Sequence, residues 1–260
     1  DLTKFTRKGA SMFRQNLLNE LKGLEREEAF DFFSEKVGEI ISARVISKND
    51  KFITFSMGKG IEATMSYRDA LPNEEFLVGE EKKVYLSKVE KTTKGPRLYI
   101  SRSNKEIVKK LFEMYIPEIS SGLIEIMGIS REPGSRTKIG VLSVNGDIDP
   151  KGACVGNGGS RIKAINEVLN GEKIDIFVWR SNPIDLIAEA LSPAKVVSVM
   201  PDEKEKRALV IANDDQFSLA IGRNGQNAKL AAFATGWKID IKKLSEAYAE
   251  EIDFRYNVNC

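Results

Sequence analysis

The stretch that decides the fold is Leu219-Ala220-Ile221-Gly222-Arg223-Asn224-Gly225-Gln226-Asn227-Ala228-Lys229-Leu230-Ala231-Ala232. Apolar residues at helical spacing lie on both sides of a Gly-x-x-Gly loop, and a basic residue stands between the two glycines. Because glycine has no Cβ, such a loop lets a phosphodiester backbone come close, and the following helix offers free N–H groups and the positive end of its dipole to a phosphate. The stretch therefore predicts a clamp for the backbone of a nucleic acid.

A lone Gly-x-x-Gly is weak evidence, because glycine pairs also end helices and turn chains. Here the loop has a second copy 66 residues earlier, where Gly156-Asn157-Gly158-Gly159 takes the place of Gly222-Arg223-Asn224-Gly225. In both copies a helical segment follows, and then an alternating segment that predicts a strand, at residues 173–179 and 237–241. The chain thus contains an internal repeat centred on the loop.

The segments around each loop predict the same order of elements. Residues 104–181 give helix, strand, strand, helix, helix, strand, and residues 182–244 repeat this order. We therefore expect two tandem αββααβ domains of the type II, prokaryotic KH kind, whose glycine loops clamp about four nucleotides each. Ser192-Pro193 is too short a linker for free tumbling, so the repeats should pack as one rigid unit with a continuous groove.

The segment before the repeats predicts a small barrel. Residues 37–103 alternate with period two in five short strands separated by Gly, Pro and Asn, which favours a five-stranded OB-type β-barrel. If Ile53 and Phe55 face the interior, Phe52 faces outward as a candidate base-stacking platform, with Arg44 and Lys51 nearby. A neighbouring domain could equally cover the Phe52 ring.

The two ends of the chain predict helices. Residues 1–36 place apolar residues at helical spacing and resemble the tail of something larger, and residues 245–260 predict an acidic C-terminal helix or tail. Phe30, Phe32 and Phe33 are expected to pack the first helix onto the barrel rather than to stack on bases. The whole prediction is an α+β multidomain protein.

Composition excludes several classes of function. The 260 residues are 42% hydrophobic and 30% charged, which suits two or three small domains, and the net charge of +2 means that nucleic-acid contacts must come from local clusters. The absence of histidine excludes Ser/His and Cys/His catalysis and any zinc site that needs imidazole. With only Cys154 and Cys260 and no membrane-spanning run, we expect a cytoplasmic protein without disulfides, catalytic residues, metal or cofactor.

Several motifs carry a resemblance to a known family. They are Lys91-Thr92-Thr93-Lys94-Gly95-Pro96, Arg131-Glu132-Pro133-Gly134-Ser135-Arg136-Thr137-Lys138, Asp149-Pro150-Lys151-Gly152-Ala153-Cys154-Val155-Gly156, Gly171-Glu172-Lys173-Ile174-Asp175-Ile176, Leu191-Ser192-Pro193-Ala194-Lys195-Val196 and Gly236-Trp237-Lys238-Ile239-Asp240-Ile241. Together with the order of elements, they resemble the RNA-binding portion of the NusA family of bacterial transcription elongation factors, with a barrel similar to the ribosomal S-one type.

The resemblance implies a function that the spacing alone does not. It implies binding of single-stranded RNA, including box A type leader RNA, as it emerges from RNA polymerase, with roles in elongation, termination and antitermination. RNA polymerase and other Nus factors are the implied protein partners. Residues 1–36 would be the last helix of a polymerase-binding N-terminal domain.

The candidate RNA-binding residues lie in both repeats and in the barrel. The family's first loop usually carries an arginine between its glycines, whereas this chain has Asn157 and Gly158 there, so the phosphate contact could pass to Arg161 or Lys163. The full set is Gly222, Arg223, Asn224, Gly225, Gln226 and Lys229 in the second repeat, Gly156, Asn157, Gly158, Gly159, Ser160, Arg161, Lys163, Arg131 and Arg136 in the first, and Arg44 and Phe52 in the barrel.

Two other interpretations stay open. Glycine loops also hold diphosphates in nucleotide-binding enzymes, but neither loop matches Gly-x-Gly-x-x-Gly or the Walker pattern, and each is predicted between two helices rather than after a strand. A protein-interaction scaffold that has lost RNA binding is disfavoured by the basic residues in and after the loops.

Overall fold

The computed structural model describes the backbone of residues 7–258 and the side chains of residues 9–258. The predicted start of the first helix and Cys260 therefore lie outside the described residues. The chain divides into two compact units between Ile107 and Val108, and each unit is described by itself. Within residues 7–258, no helix combines the length and the apolar character that crossing a bilayer requires.

The first unit is a helix followed by an antiparallel barrel. Its elements are α1 (Arg7–Ser34), β1 (Ile40–Lys48), β2 (Phe52–Gly58), β3 (Ile61–Ser66), β4 (Glu81–Thr92) and β5 (Gly95–Ser101). The hydrogen-bonded order is β3-β2-β1-β4-β5, and β3 also approaches β5, so the sheet curls into a nearly closed barrel. The predicted five-stranded barrel is confirmed.

Alternate side chains of each strand fill the interior of this barrel, and α1 packs against it. Ile53 and Phe55 on β2 are fully buried whereas Phe52 is 45% exposed, as the period-two pattern predicts. Phe33 at the end of α1 is buried in the barrel core and Phe32 packs against the same core, which confirms the packing interpretation of this aromatic cluster.

The second unit holds both repeats. The first repeat consists of α2 (Glu106–Tyr115), which begins just before the division, α3 (Pro117–Ser120), β6 (Ile124–Glu132), β7 (Arg136–Ser143), α4 (Pro150–Val155), α5 (Ser160–Val168) and β8 (Lys173–Val178). The second consists of α6 (Pro183–Ala190), β9 (Val196–Asp202), β10 (Arg207–Ala212), α7 (Asp214–Ile221), α8 (Gln226–Thr235) and β11 (Lys238–Lys243).

The two repeats share one topology. In each three-stranded sheet the middle strand pairs antiparallel with the first strand and parallel with the last, in the orders β6-β7-β8 and β9-β10-β11. The glycine loops join α4 to α5 and α7 to α8, so both lie between helices. The predicted αββααβ order and the α+β class are confirmed, with the short helix α3 as an addition that the sequence did not predict.

The repeats pack on each other through a common core. Phe177 of the first repeat belongs to the same buried cluster as Leu191, Val210 and Ala231 of the second. Helix α8 lies across β6, where the backbone oxygen of Ala234 is so close to Gly128 that a Cβ there would be 2.1 Å away. The prediction that the repeats pack together is confirmed.

The C-terminal segment covers the outer face of the second sheet. Helix α9 (Leu244–Ala249) and the residues after it place Ala247, Ile252 and Phe254 against Ile211. The Asn257 side chain accepts from the backbone N–H of Val199 at 2.9 Å and donates to its carbonyl at 2.8 Å, which ties the tail to edge strand β9. This segment therefore packs on the second sheet, much as α8 packs on the first sheet.

Candidate nucleic-acid interface

Both glycine loops adopt the same backbone conformation. Gly156 and Gly222, which open the loops, have φ/ψ of 76°/172° and 77°/171°, and the closing glycines Gly159 and Gly225 have φ of 77° and 74°. Left-handed φ values favour glycine at these places because a Cβ would be strained there. The internal repeat seen in the sequence is thus a repeat of geometry.

The opening glycine is also required by packing inside the protein. A Cβ on Gly156 would lie 2.8 Å from Cγ of Arg161, and a Cβ on Gly222 would lie 2.7 Å from Cβ of Asn227. Arg161 and Asn227 are the second residues of α5 and α8, so the loop folds directly over the helix that follows it. The backbone is left bare on its other side, where a phosphate can approach.

The second loop presents unengaged positive charge. Arg223 and Lys229 are exposed, and neither side chain forms a hydrogen bond or ion pair with any residue that the structure describes. Helix α8 begins directly after the loop, and its N-cap residue Gly225 provides no side-chain hydrogen bond to the first N–H groups. Two cations beside uncapped N–H groups make a binding site for an anion.

Gln226 has a partner within the protein. Its Nε2 donates to Oε2 of Glu132 and to Oγ of Ser135, both at 2.8 Å, so the start of α8 is joined to the β6–β7 hairpin of the first repeat. The structure therefore places this predicted RNA-binding residue at the boundary between the repeats, beside the second loop.

The first loop carries less available charge. Arg161 donates at 2.7 Å both to Oε2 of Glu118 on α3 and to the carbonyl of Ala153 on α4, so its guanidinium is held within the repeat. Lys163 is exposed and donates to the carbonyl of Gly158 at 3.1 Å, across its own loop. Asn157 and Ser160 are exposed but neutral. Of the two predicted substitutes for a loop arginine, only Lys163 lies at the solvent face of the loop.

Burial argues against the predicted RNA contact of Arg131. Its side chain is 1% exposed and forms an ion pair at 2.8 Å with Glu172, which is fully buried. The same carboxylate accepts from the N–H of Gly134 and from Oγ1 of Thr137, so the network fixes the β6–β7 turn. An RNA could reach Arg131 only by opening this network, and the prediction for Arg131 is corrected accordingly.

Arg136 is likewise engaged within the first sheet. It binds Asp175 across β7 and β8, with Nε 2.6 Å from Oδ2, and the hydrogen bond to this carboxylate raises the pKa of the guanidinium above its usual value. Arg207 and Asp240 form the same pair in the second repeat at 2.7 Å. The repetition indicates that these arginines link parallel strands.

An apolar cleft beside the first loop was not predicted from the sequence. It has a volume of about 240 Å³, and its apolar lining comes from Val155, Ile162, Ile174, Ile176 and Pro193. Val155, Ile162 and Ile174 are partly buried and Ile176 is buried. The residues equivalent to these four in the second repeat, Ile221, Ala228, Ile239 and Ile241, are all partly buried. The signal that could have found the cleft is the alternation of isoleucines on the edge strands β8 and β11, next to helices that carry the loops.

On the barrel, the predicted cluster is only partly assembled. Phe52 and Arg44 lie on the same outer face, but Arg44 pairs with Ser56, about 13 Å along β2 from Phe52, and forms an ion pair with Glu81 at 3.1 Å. Tyr67, which the sequence analysis did not single out, follows Ser66, the cross-strand partner of Phe52, and is 43% exposed. Two aromatic side chains are therefore exposed at this edge of the barrel.

A metal site and a reactive thiol each require a particular arrangement of side chains. Within them, no group of three Cys, Asp or Glu side chains could hold a metal ion. Cys154 is buried, and burial raises the pKa of its thiol to about 12, which keeps it from acting as a nucleophile.

Comparison with known proteins gives a consistent result over both repeats. Residues 102–179 match the NusA-like first KH domain and residues 183–249 match the NusA-like second KH domain. The chain is 45% identical over 243 residues to the transcription termination/antitermination protein NusA of Bacillus subtilis. The aligned region covers 94% of this chain and 65% of that protein. Identity to the NusA proteins of Thermus thermophilus and Mycobacterium bovis is 40% and 38%, covering 92% of this chain in both cases and 61% and 71% of those proteins.

These relatives are named as transcription regulators and not as enzymes. The chain spans slightly less than two thirds of the Bacillus subtilis and Thermus thermophilus proteins and slightly more than two thirds of the Mycobacterium bovis protein. The match extends through the barrel and both glycine-loop repeats, so this chain belongs to the NusA family of transcription termination/antitermination proteins.

Proposed function

We propose that this chain binds single-stranded RNA as part of a transcription elongation, termination and antitermination factor that acts on nascent RNA at RNA polymerase. The observation that carries the proposal is the second loop, where Arg223 and Lys229 stand unengaged beside bare glycine backbone and uncapped helix N–H groups. Its backbone conformation recurs in the first loop, so two glycine loops of the same geometry lie in one compact unit. Single-stranded RNA suits them because its bases can be splayed away from the clamped phosphates.

The proposed site assigns different roles to different residues. Gly222, Arg223, Asn224, Gly225 and Lys229 hold phosphates in the second repeat. Residues 156–160 and Lys163 do so more weakly in the first. The partly buried isoleucines beside each loop seat bases, and Phe52 offers a stacking surface on the barrel. Arg136 and Arg161 shape the first repeat and contact RNA at most with their exposed edges.

The division of the chain and its partners complete the proposal. We assign residues 1–36 to a connecting helix, 37–103 to the barrel, 104–181 and 182–244 to the two KH domains, and 245–260 to the C-terminal segment. From membership in the family, we propose a cytoplasmic protein that binds box A type leader RNA and works with RNA polymerase and other Nus factors.

The test is a binding titration with RNA in two forms. A labelled single-stranded RNA of about 12 nucleotides is long enough for two loops that clamp about four nucleotides each, and fluorescence anisotropy gives its affinity at a series of salt concentrations. We expect the logarithm of the binding constant to fall with the logarithm of salt concentration, by about 0.7 per neutralised phosphate. The matched duplex should bind more weakly. A salt-independent affinity, or equal affinity for the duplex, would rule out the proposed clamp.

A further inference from the structure

The β6–β7 hairpin of the first repeat brings a carboxylate to the second loop. The contact is made by Glu132, the last residue of β6, and by Gln226, the first residue of α8. The Nε2 of Gln226 lies 2.8 Å from Oε2 of Glu132 and 2.8 Å from Oγ of Ser135. A negative charge is therefore held beside a loop whose own charges are positive.

The hairpin that carries this carboxylate is rigid. Its turn is anchored by Glu172, whose buried carboxylate accepts from Arg131, from the N–H of Gly134 and from Oγ1 of Thr137. The N–H of Lys173 donates to the carbonyl of Ser135 at 3.0 Å and ties the turn to β8. Glu132 itself is exposed, so a rigid support presents it to solvent.

Gln226 occupies only part of the hydrogen-bonding capacity of Glu132. Oε2 accepts from the amide, whereas Oε1 has no hydrogen-bond partner among residues 9–258. A carboxylate accepts hydrogen bonds only, and the N–H groups that bases present on their edges include the exocyclic amino groups of adenine, cytosine and guanine. An oriented, exposed acceptor next to a phosphate clamp is suited to contact the base attached to the clamped backbone.

We propose that Glu132 is a specificity-determining residue, which selects for a base with an exocyclic amino group at the nucleotide next to the second loop. This inference rests on the proposed function and names the preference of that site. Gln226 acts as the positioning residue, because its hydrogen bond to Oε2 orients the carboxylate. The negative charge of Glu132 weakens phosphate binding at the second loop, but its carboxylate discriminates between bases.

The test compares two RNAs that differ only in amino groups. The probes are a dodecamer of adenosine and a dodecamer of purine ribonucleoside, which lacks the N6 amino group at every position, so sliding along the strand cannot hide the effect. The ratio of their dissociation constants is measured by anisotropy for the unmodified chain and for Glu132→Ala, Gln226→Ala and Glu125→Ala. Glu125 is an exposed carboxylate on the same strand, so its variant controls for the loss of a negative charge.

We expect Glu132→Ala to reduce the preference for the adenosine dodecamer by about tenfold or more, since one hydrogen bond to a charged acceptor is lost. Gln226→Ala should reduce it less, and Glu125→Ala should leave it unchanged within about twofold. The proposal is overturned if Glu132→Ala keeps the preference of the unmodified chain or if Glu125→Ala lowers it equally. If the unmodified chain binds neither dodecamer, the proposed RNA-binding function itself fails, and this result is distinct from a change in preference.

Discussion

Arg161 and Asn227 show how the same position is used differently in the two repeats. Each is the second residue of the helix after a glycine loop, and each side chain reaches back to the helix before that loop. Arg161 also donates to the Glu118 carboxylate, whereas the buried Asn227 also donates to the carbonyl of Leu191 at 3.0 Å. Both side chains fix the position of a glycine loop. Arg161, which the sequence analysis assigned to RNA binding, is therefore engaged within the first repeat.

Phe52 gives a test at the scale of a single side chain. Its side chain is 45% exposed, so Phe52→Ala should weaken RNA binding by about 1 to 3 kcal/mol without destabilising the barrel. Leu77→Ala removes another exposed apolar side chain of the same unit and serves as the control, with no expected loss of affinity. Titration calorimetry and thermal unfolding of both variants decide the point. A collapse of the melting temperature in Phe52→Ala would mean that the ring supports the fold.

Lys138 gives a second test, through pH. Burial lowers the pKa of its ammonium to about 8, against about 10.4 in an unfolded chain, while Nζ donates to the carbonyl of Ser192 at 2.7 Å. Between these pH values the unfolded chain holds a proton that the folded chain has released, so the free energy of unfolding rises with pH. From pH 7.5 to 9.5 the melting temperature of the unmodified chain should therefore rise relative to Lys138→Met.

The control for this measurement is Lys173→Met, which removes an exposed lysine from the neighbouring strand. Its melting temperature should follow that of the unmodified chain across the same pH range. A constant difference between Lys138→Met and the unmodified chain at every pH would show that Lys138 stays protonated throughout.

At the scale of elements, the contact between α8 and β6 holds the repeats together. A Cβ on Gly128 would lie 2.1 Å from the backbone oxygen of Ala234 and 2.9 Å from the Trp179 ring. Because a helix backbone cannot move aside as a flexible side chain can, Gly128→Ala should destabilise the second unit by about 1 to 3 kcal/mol, as overpacked cores do. Chemical denaturation followed by tryptophan fluorescence reports on this unit, since both tryptophans, Trp179 and Trp237, lie in it.

Gly23→Ala is the matched control for this substitution. Gly23 lies in α1 of the first unit and has no heavy atom within 4 Å of the position of a Cβ. Its substitution should therefore leave the tryptophan-reported denaturation midpoint of the second unit unchanged. An unchanged denaturation midpoint in Gly128→Ala would mean that α8 and β6 are less tightly packed than these distances indicate.

The elements also show which predictions depend on sequence pattern. Period-two alternation was sufficient for the barrel strands and for the orientation of Phe52, because each strand buries one face. The short helix α3 and the position of the C-terminal tail on the second sheet were not predicted, because they follow from the packing of distant segments. Arg131 was assigned to RNA on its motif alone, and the sequence contains no sign that Glu172, 41 residues later, would bury it.

For the whole molecule, the internal repeat was the most informative signal. It predicted two copies of one topology and two glycine loops, and the loop dihedral angles agree within a few degrees at the opening glycines. The apolar cleft beside the first loop, the Glu132–Gln226 contact and the ion pair of Arg161 became visible only in the structure. Each of them depends on contacts between residues far apart in the sequence, which spacing along the chain cannot show.

The central claim is that the second loop is the stronger phosphate clamp. Arg223 is unengaged at its mouth, whereas the first loop has Asn157 and Gly158 there and holds Arg161 within the repeat. Aspartate adopts the left-handed conformation of Gly158 and Asn224 more readily than most residues, and a Cβ at Gly158 would have no heavy atom within 4 Å. Double substitutions in the two loops therefore cost little backbone strain.

The most direct measurement titrates two such variants, Arg223→Asp with Asn224→Asp and Asn157→Asp with Gly158→Asp, against one single-stranded RNA that spans both loops. Both variants should keep the circular dichroism spectrum and melting temperature of the unmodified chain, since these loop tips are exposed. We predict that the second-loop variant loses about tenfold more affinity than the first-loop variant, because it removes a charged donor in addition to introducing repulsion. An equal or larger loss of affinity in the first-loop variant would contradict the claim.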